Sequence, residues 1–394
     1  MKKYLSICVA ILGSYALTAQ CPQAKEGEAK SSDVTNAGIS LNTEGNPLDA
    51  AKYIERAITH EKAKLKLATW RKRGDIYVAL ERALPGTCPE ALHLAKESFE
   101  KAMDLDEKGR YTDLILGGLI ETGGVSFNKG LDFYNNKDYA KSAEFFNLTA
   151  SAYEKAQNTT DSVYLIALFN TGLSYDNNEE IDNAITYYQK SIDVNYDVKQ
   201  CYYRMINLYN GADRTDDAIA LIQKGKAQFP EEAQFYIQET DIYYNAEDFA
   251  KAEESLRGAV ANDPKNAMLH FVLGTALEQL DKSEDAVKAY KDAIAIDPEY
   301  ADAYHNLGAA YFNQYVAYTN KAGELDFRTQ SAEISELEAK AQDSLKEAMP
   351  FLEKAHEMEP SNVQVMKSLK NIYFNFEMTE KYDVMVAKIK AIEG

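Results

Sequence analysis

The stretch Ala267–Tyr300 reads AMLHFVLGTALEQLDKSEDAVKAYKDAIAIDPEY, and its spacing decides the fold. His270, Leu273, Gly274 and Leu277 lie on one stripe of a first helix. Ala286, Tyr290 and Ala293 lie on one stripe of a second helix. Gly274 and Ala286 carry little or no side chain, so the two helices can cross closely. Leu273, Tyr290 and the following Tyr304 are placed to fill the space around that crossing. Pro298 cannot continue a helix and ends the second one. Working outward, Pro230, Pro264 and Pro298 fall at intervals of 34 residues. The same step links Ala218, Ala252 and Ala286, and also Tyr209, Tyr243 and Leu277. A fixed period in this range marks stacked supersecondary units, none of which can bury its own apolar stripe alone.

These residues resemble the tetratricopeptide repeat (TPR), with its small and large places filled in order. The resemblance implies an all-α, right-handed superhelical solenoid of antiparallel helix pairs. Residues 123–300 read as the regular array, with Gly130, Phe133, Ser142 and Phe146 in one unit. Gly172, Tyr175, Ala184 and Tyr188 fill the next unit. Ile206 and Thr240 take the place of the glycine in the two units after that. Their helix pairs are therefore expected to sit wider apart. Residues 47–122 read as an N-terminal helix, Pro47–Lys64, followed by a divergent unit. That unit carries Trp70, Gly74, Tyr77, Ala95, Phe99 and Ala102, with Arg73 where the repeat has a leucine. Its loop is enlarged around Pro85–Pro89. Residues 108–122 fit no repeat, and Tyr111–Ile120 reads as an additional apolar helix weakened by its glycines.

Residues 301–362 form a unit with 28 residues added between Tyr311 and Ala348. Ile334, Leu337, Ala341 and Leu345 keep helical spacing inside the addition, so both helices are expected to lengthen into a projecting hairpin of roughly 20 Å. Tyr315, Val316 and Tyr318 are the expected opposite arm, and Pro350 is expected to kink the second helix. Residues 363–394 read as a capping unit.

Residues 1–19 read as a removable export signal: Lys2 and Lys3, then the apolar Leu5–Leu17, then a cut before Gln20. The ending Ala19-Gln20 resembles secretory signals of Bacteroidota, which implies a periplasmic or outer-membrane-associated protein. Lipidation at Cys21 is the less favoured reading, because Gln20 stands where a lipoprotein signal has Gly, Ala or Ser. Residues 20–46 are polar and read as a flexible leader. Cys21 and Cys88 lie in loop-like sequence beside prolines, so a Cys21–Cys88 disulfide and free thiols both remain open. Cys201 sits at a place where the repeat usually buries a small residue.

The formal net charge of −19 disfavours nucleic acid as a partner. There is no later apolar run long enough for a span and no basic helix for an anionic membrane surface, so direct membrane insertion is not expected. No Gly-rich phosphate loop is present. The five histidines are scattered, with no metal-ligand spacing, so neither cofactor nor metal is expected. No nucleophile motif is found, and the chain is expected not to be an enzyme.

Most of the 27 tyrosines occupy scaffold places. A second stripe stands out on the first helices, whose exposed side lines the concave groove in TPR proteins. It comprises Phe127, Phe169, Tyr203 and Phe271 near the middle of those helices, and Tyr244 and Phe312 further on. Asn135, Asn177, Asn245 and Asn313 follow near the helix ends. Asparagine can pair with both backbone groups of an extended peptide, and aromatic faces supply apolar contact. The alternative is that asparagine here only terminates helices. The clamp by which some TPR domains hold terminal carboxylates is broken by Phe127, Leu131 and Gln200. The expected function is a scaffold in the cell envelope that binds a protein or an extended peptide segment. The alternative is a small-ligand or glycan receptor. Asp161-Ser162-Val163 and Asp343-Ser344-Leu345 resemble short O-glycosylation acceptors of Bacteroidota.

Overall fold

The structure is a computed structural model, and it describes residues 20–393. The expected export signal, residues 1–19, lies outside the described residues. Eighteen helices are found among those described, and no strand. The chain divides into two compact units, with the boundary after Leu208.

The first unit contains α1 (Asp33–Asn42), α2 (Pro47–Ala57), α3 (Leu67–Ala83), α4 (Ala91–Asp104) and α5 (Thr112–Asn135). It continues with α6 (Tyr139–Lys155), α7 (Ser162–Asn177) and α8 (Ile181–Asp193). α9 (Val198–Gly211) holds the boundary. The second unit contains α10 (Thr215–Gln228), α11 (Ala233–Asn245), α12 (Phe249–Asn262), α13 (Ala267–Gln279) and α14 (Ser283–Ile296). It ends with α15 (Ala301–Glu324), α16 (Ser331–Met358), α17 (Val363–Asn375) and α18 (Thr379–Glu393). Within each unit successive helices pack as pairs, such as α5 with α6 and α13 with α14.

The small-against-large pattern of the sequence is the packing rule of the fold. A Cβ placed on Gly274 would lie 2.5 Å from the Tyr290 ring, and one on Gly172 2.9 Å from the Tyr188 ring. Gly74 stands against Phe99 and Gly130 against Phe146 in the same way. Where Thr240 replaces the glycine, Leu256 replaces the ring, and both are buried. The pair thus conserves volume, which is the substitution that close-packed interiors tolerate best.

Several helix starts have the caps their sequences promise. Asn46 accepts a hydrogen bond from the Asp49 N–H at 3.0 Å, with Pro47 in the first turn. Asp138 and Asp248 cap α6 and α12. The turns inside the helix pairs are less legible. Glu179, Asp213, Glu247 and Asp281 recur at the repeat spacing with φ of 61°, 57°, 57° and 57°. These are left-handed positions held by acidic residues rather than by glycine or asparagine.

Three expectations need correction. Residues 20–46 are not a coreless leader, because α1 lies within them and packs on α2 and α3. Asp33 is buried and receives the Arg56 guanidinium through two hydrogen bonds of 2.6 and 2.8 Å. Arg56 also donates to the Glu26 carbonyl oxygen at 2.7 Å. A polar composition is held here by a tertiary ion pair, which no local window reports. It follows that the helix beginning at Pro47 is not a lone cap but the partner of α1, and it stops at Ala57 rather than Lys64.

The second correction concerns residues 108–122. Thr112–Asn135 is one continuous helix, so the segment extends the next unit's first helix instead of adding a separate one. The glycines do not break it, because two of them are contact sites. The Phe99 ring lies over Gly118, and the Tyr153 ring lies where a Cβ on Gly123 would be, at 2.7 Å.

The third correction lies in the insertion. Both helices lengthen as expected, to 24 and 28 residues, and α16 passes through Pro350 on its exposed side. The inward residues of the second arm are Leu337 and Ala341; on the first arm Tyr315 and Tyr318 are half-buried, as expected, but Val316 does not face inward. Val316 is 39% exposed, and the buried residue near the end of that arm is Ala322.

Candidate protein-binding surfaces

In the first unit, Phe127 is half-buried, with its ring 5.4 Å from that of Phe146. Phe169 lies 5.7 Å from Tyr188 and 6.2 Å from Tyr196. Tyr203 is half-buried as well. In the second unit, Phe271 sits between Tyr290 and Tyr300, at 5.8 and 5.0 Å. Phe312 packs on Tyr315 at 5.7 Å. The first stripe therefore leans on the scaffold rings and offers only part of each face outward.

Tyr244 is more open, 36% exposed, and meets Phe249 edge-on at 5.2 Å. Asn135, Asn177, Asn245 and Asn313 are all exposed. Asn135, Asn177 and Asn245 are the last residues of α5, α7 and α11, whereas the lengthened α15 runs on past Asn313. Asn177 donates to the Leu173 carbonyl at 2.7 Å and to the Tyr134 hydroxyl at 3.2 Å. Its amide thus satisfies the end of its own helix, as the terminator reading anticipates.

Sequence reasoning missed the carboxylates that tie the scaffold tyrosines. The Tyr188 hydroxyl donates to Asp176 at 2.9 Å, and Arg204 donates to the same oxygen at 3.1 Å. The Tyr290 hydroxyl donates to Glu278 at 2.8 Å. Burial, and then the adjacent carboxylate charge, push both tyrosines well above the ordinary phenol range. Burial also raises Glu278, against the opposing hydrogen bond from Tyr290. Asp176 and Glu278 occupy the same place of their units, 102 residues apart, which is three repeats. That periodicity was the available signal.

Two further charged residues replace the leucine of the first helix, and each finds a serine at the same place of the second. Arg73 donates to Ser98, and Glu239 accepts from Ser255, Lys226 and Gln223. The Glu239 group borders a cleft of about 570 Å³ that also includes Tyr236, Tyr243 and Lys251. All of its buried charge is internally satisfied.

His270 approaches the Pro264 carbonyl oxygen at 3.1 Å. Among the described residues no group of three or more His, Cys, Asp or Glu side chains could hold a metal ion. Burial, then the charge of Asp197, push the Cys201 thiol up to about 12, which leaves it protonated and inert. Cys21 and Cys88 are joined in a disulfide. Ser162 is exposed at the start of α7, but Ser344 is buried and donates to the Lys340 carbonyl, so only the first acceptor-like sequence is accessible. No helix among the described residues is long and apolar enough to cross a membrane.

Residues 166–197 match a family model described as tetratricopeptide repeat, and residues 279–314 match one described as TPR repeat. Together with the stacked helix pairs, these two matches give the chain a fold of the tetratricopeptide-repeat type. No curated protein matches it. Among solved structures it is similar to the C-terminal part of a TPR repeat-containing protein of Cytophaga hutchinsonii. That match has 15% identity, covers 68% of this chain and 95% of the other, and has a TM-score of 0.47. It is also similar to a TPR repeats protein of Bacteroides fragilis, with 20% identity, coverage of 64% and 97%, and a TM-score of 0.34. YrrB, a TPR protein with an unusual peptide-binding site, shows 20% identity, coverage of 56% and 99%, and a TM-score of 0.39. The fold is one of non-catalytic scaffolds, and proteins that share it are in general platforms for other proteins.

Proposed function

We propose that the protein is a scaffold of the bacterial cell envelope that holds a partner protein on its inserted hairpin, with the half-open aromatic stripe as the second surface. The hairpin carries this reading. Its arms cover one another through Ala322, Leu337 and Ala341, while Phe327 at the turn is 78% exposed. An apolar side chain at the tip of the hairpin contributes nothing to the repeat stack and is available to a partner. The base of the hairpin is anchored, since the Tyr315 hydroxyl donates to Asn375 of α17 at 3.2 Å.

The test is deletion of residues 314–342, with a short turn joining the ends. The truncated protein should keep its helicity per residue and its melting temperature within a few degrees. It should lose the partner that the full chain recovers from an envelope extract. A large fall in melting temperature with binding retained per folded molecule would make the hairpin a brace for α17.

The envelope location rests on the residues 1–19 pattern. It is expected to give an exported chain whose intact mass begins at Gln20. A mass that includes Met1, or a lipid on Cys21, contradicts it.

A further inference from the structure

We infer that the cleft at the turn between α17 and α18 is a receptor for an arginine or lysine side chain on the partner protein. This names the partner's chemistry for the scaffold reading and rests on that reading. The cleft encloses about 670 Å³ and is lined by Tyr373, Phe374, Asn375, Glu377, Thr379, Tyr382 and Asp383. Phe374 is 70% exposed, and its ring lies 5.9 Å from that of Tyr382 with the planes tilted by 48°. Two inclined rings with an open face form a partial cage for a cation.

The chain itself shows what such faces accept. The Lys141 ammonium stands 5.1 Å from the Phe133 ring centre, Lys251 5.1 Å from Tyr243, and Lys381 5.2 Å from Tyr373. In each of these helix pairs a lysine of the second helix covers the aromatic residue near the end of the first. Phe374 and Tyr382 have no such lysine or arginine among the described residues. Lys381, the nearest in sequence, is already engaged with Glu353 at 2.7 Å.

The charges agree with the rings. The carboxylates that cap second helices are neutralised, Asp138 by Lys141 at 3.2 Å and Asp248 by Lys251 at 2.9 Å, and Met378 takes that place in the last pair. Glu377 and Asp383 line the last cleft and have no ion pair or side-chain hydrogen bond among the described residues. The amide of Asn375 is occupied, donating to the Asn371 carbonyl and accepting from Tyr315. What remains open is therefore a ring face and two carboxylates, a set complementary to a guanidinium or ammonium. The net charge of −19 adds a general attraction for basic segments but selects no site.

The probe is a dye-labelled acetyl-Gly-Arg-Gly-Arg-Gly amide, titrated into the full-length protein by fluorescence anisotropy at low and at physiological salt. Its citrulline analogue is the uncharged control. Phe374→Ala changes no charge and removes a mostly exposed ring. It is expected to weaken the arginine peptide about fivefold and to leave helicity unchanged. Glu377→Gln with Asp383→Asn is expected to weaken it about tenfold at low salt and less at high salt. Glu231→Gln with Glu299→Gln removes the same charge from exposed positions outside the cleft and should stay within twofold.

Equal affinity for the citrulline peptide would overturn the proposal, as would an unchanged affinity in Phe374→Ala. Equal losses from the two charge-neutralising pairs would reduce the binding to bulk attraction and also overturn it. A dimer of the free protein that Phe374→Ala dissolves would assign the cleft to a second copy instead. The titration needs no envelope partner, so its failure is separate from a failure of the hairpin deletion.

Discussion

Replacing Arg73 by alanine is expected to destabilise the first unit by about 3 kcal/mol. The side chain is 5% exposed and lies inside the α3–α4 pair, where the repeat has a leucine. Its guanidinium donates to Glu55 at 2.7 Å and to the Ser98 hydroxyl at 2.8 Å. The Tyr77 hydroxyl donates to the same Glu55 oxygen at 2.8 Å. Alanine would leave a mostly buried carboxylate facing a cavity, with only the tyrosine to hold it. Breaking one side of such a pair typically costs about 3–5 kcal/mol. The lower end applies because Glu55 keeps Tyr77 and some contact with solvent.

The double replacement Arg73→Leu with Glu55→Leu should recover most of the loss, because an apolar pair of similar volume avoids desolvating two charges. Trp70 makes both measurable. It is the only tryptophan in the chain, and the Arg73 guanidinium lies 5.7 Å from its ring. Denaturant titration followed by Trp70 fluorescence, with circular dichroism as a second probe, reads the first unit. A midpoint in Arg73→Ala equal to wild type would show that the network contributes nothing.

Removing the Cys21–Cys88 bond is expected to cost a similar amount. The bond spans 67 residues, and closing a loop of that size restricts the unfolded chain by about 4 kcal/mol in the chain-entropy account. The measured loss is expected to be somewhat smaller. A denatured chain retains contacts, and the Arg56–Asp33 pair holds the same segment in the folded state. Cys21→Ser with Cys88→Ser should shift the Trp70-reported midpoint downward, and reductant should do the same to wild type. The transition in the second unit should not move, since its free cysteine content is nil and the bond lies in the first. Non-reducing peptide mapping that finds both thiols alkylated would remove the basis of this expectation.

Much of the architecture was legible because it is periodic. The 34-residue step, the glycine facing a ring and the proline that follows α10, α12, α14 and α16 are local and repeated. Each repetition tests the reading of the one before. The insertion was legible for the same reason, since its apolar residues stay in helical register with Ala348 and Leu352. The aromatic stripe could be named from its places in the repeat. How far each ring faces outward depends on the neighbouring scaffold ring, as Phe271 between Tyr290 and Tyr300 shows.

By itself the sequence determined the helix pairs, their small and large contact residues and the position of the added hairpin. All of these follow from side-chain size and spacing along one short unit. Only the tertiary structure decided what joins residues distant in the chain. Asp33 finds Arg56, so a polar leader becomes a packed helix. Phe99 covers Gly118, so a glycine-rich stretch stays helical within α5. Phe374 and Tyr382 come together with two unpaired carboxylates because the last turn brings the end of one helix beside the start of the next. Local patterns report periods of two and of about four residues. A buried charge, a glycine under a ring and a shared cleft depend on partners that such patterns do not contain.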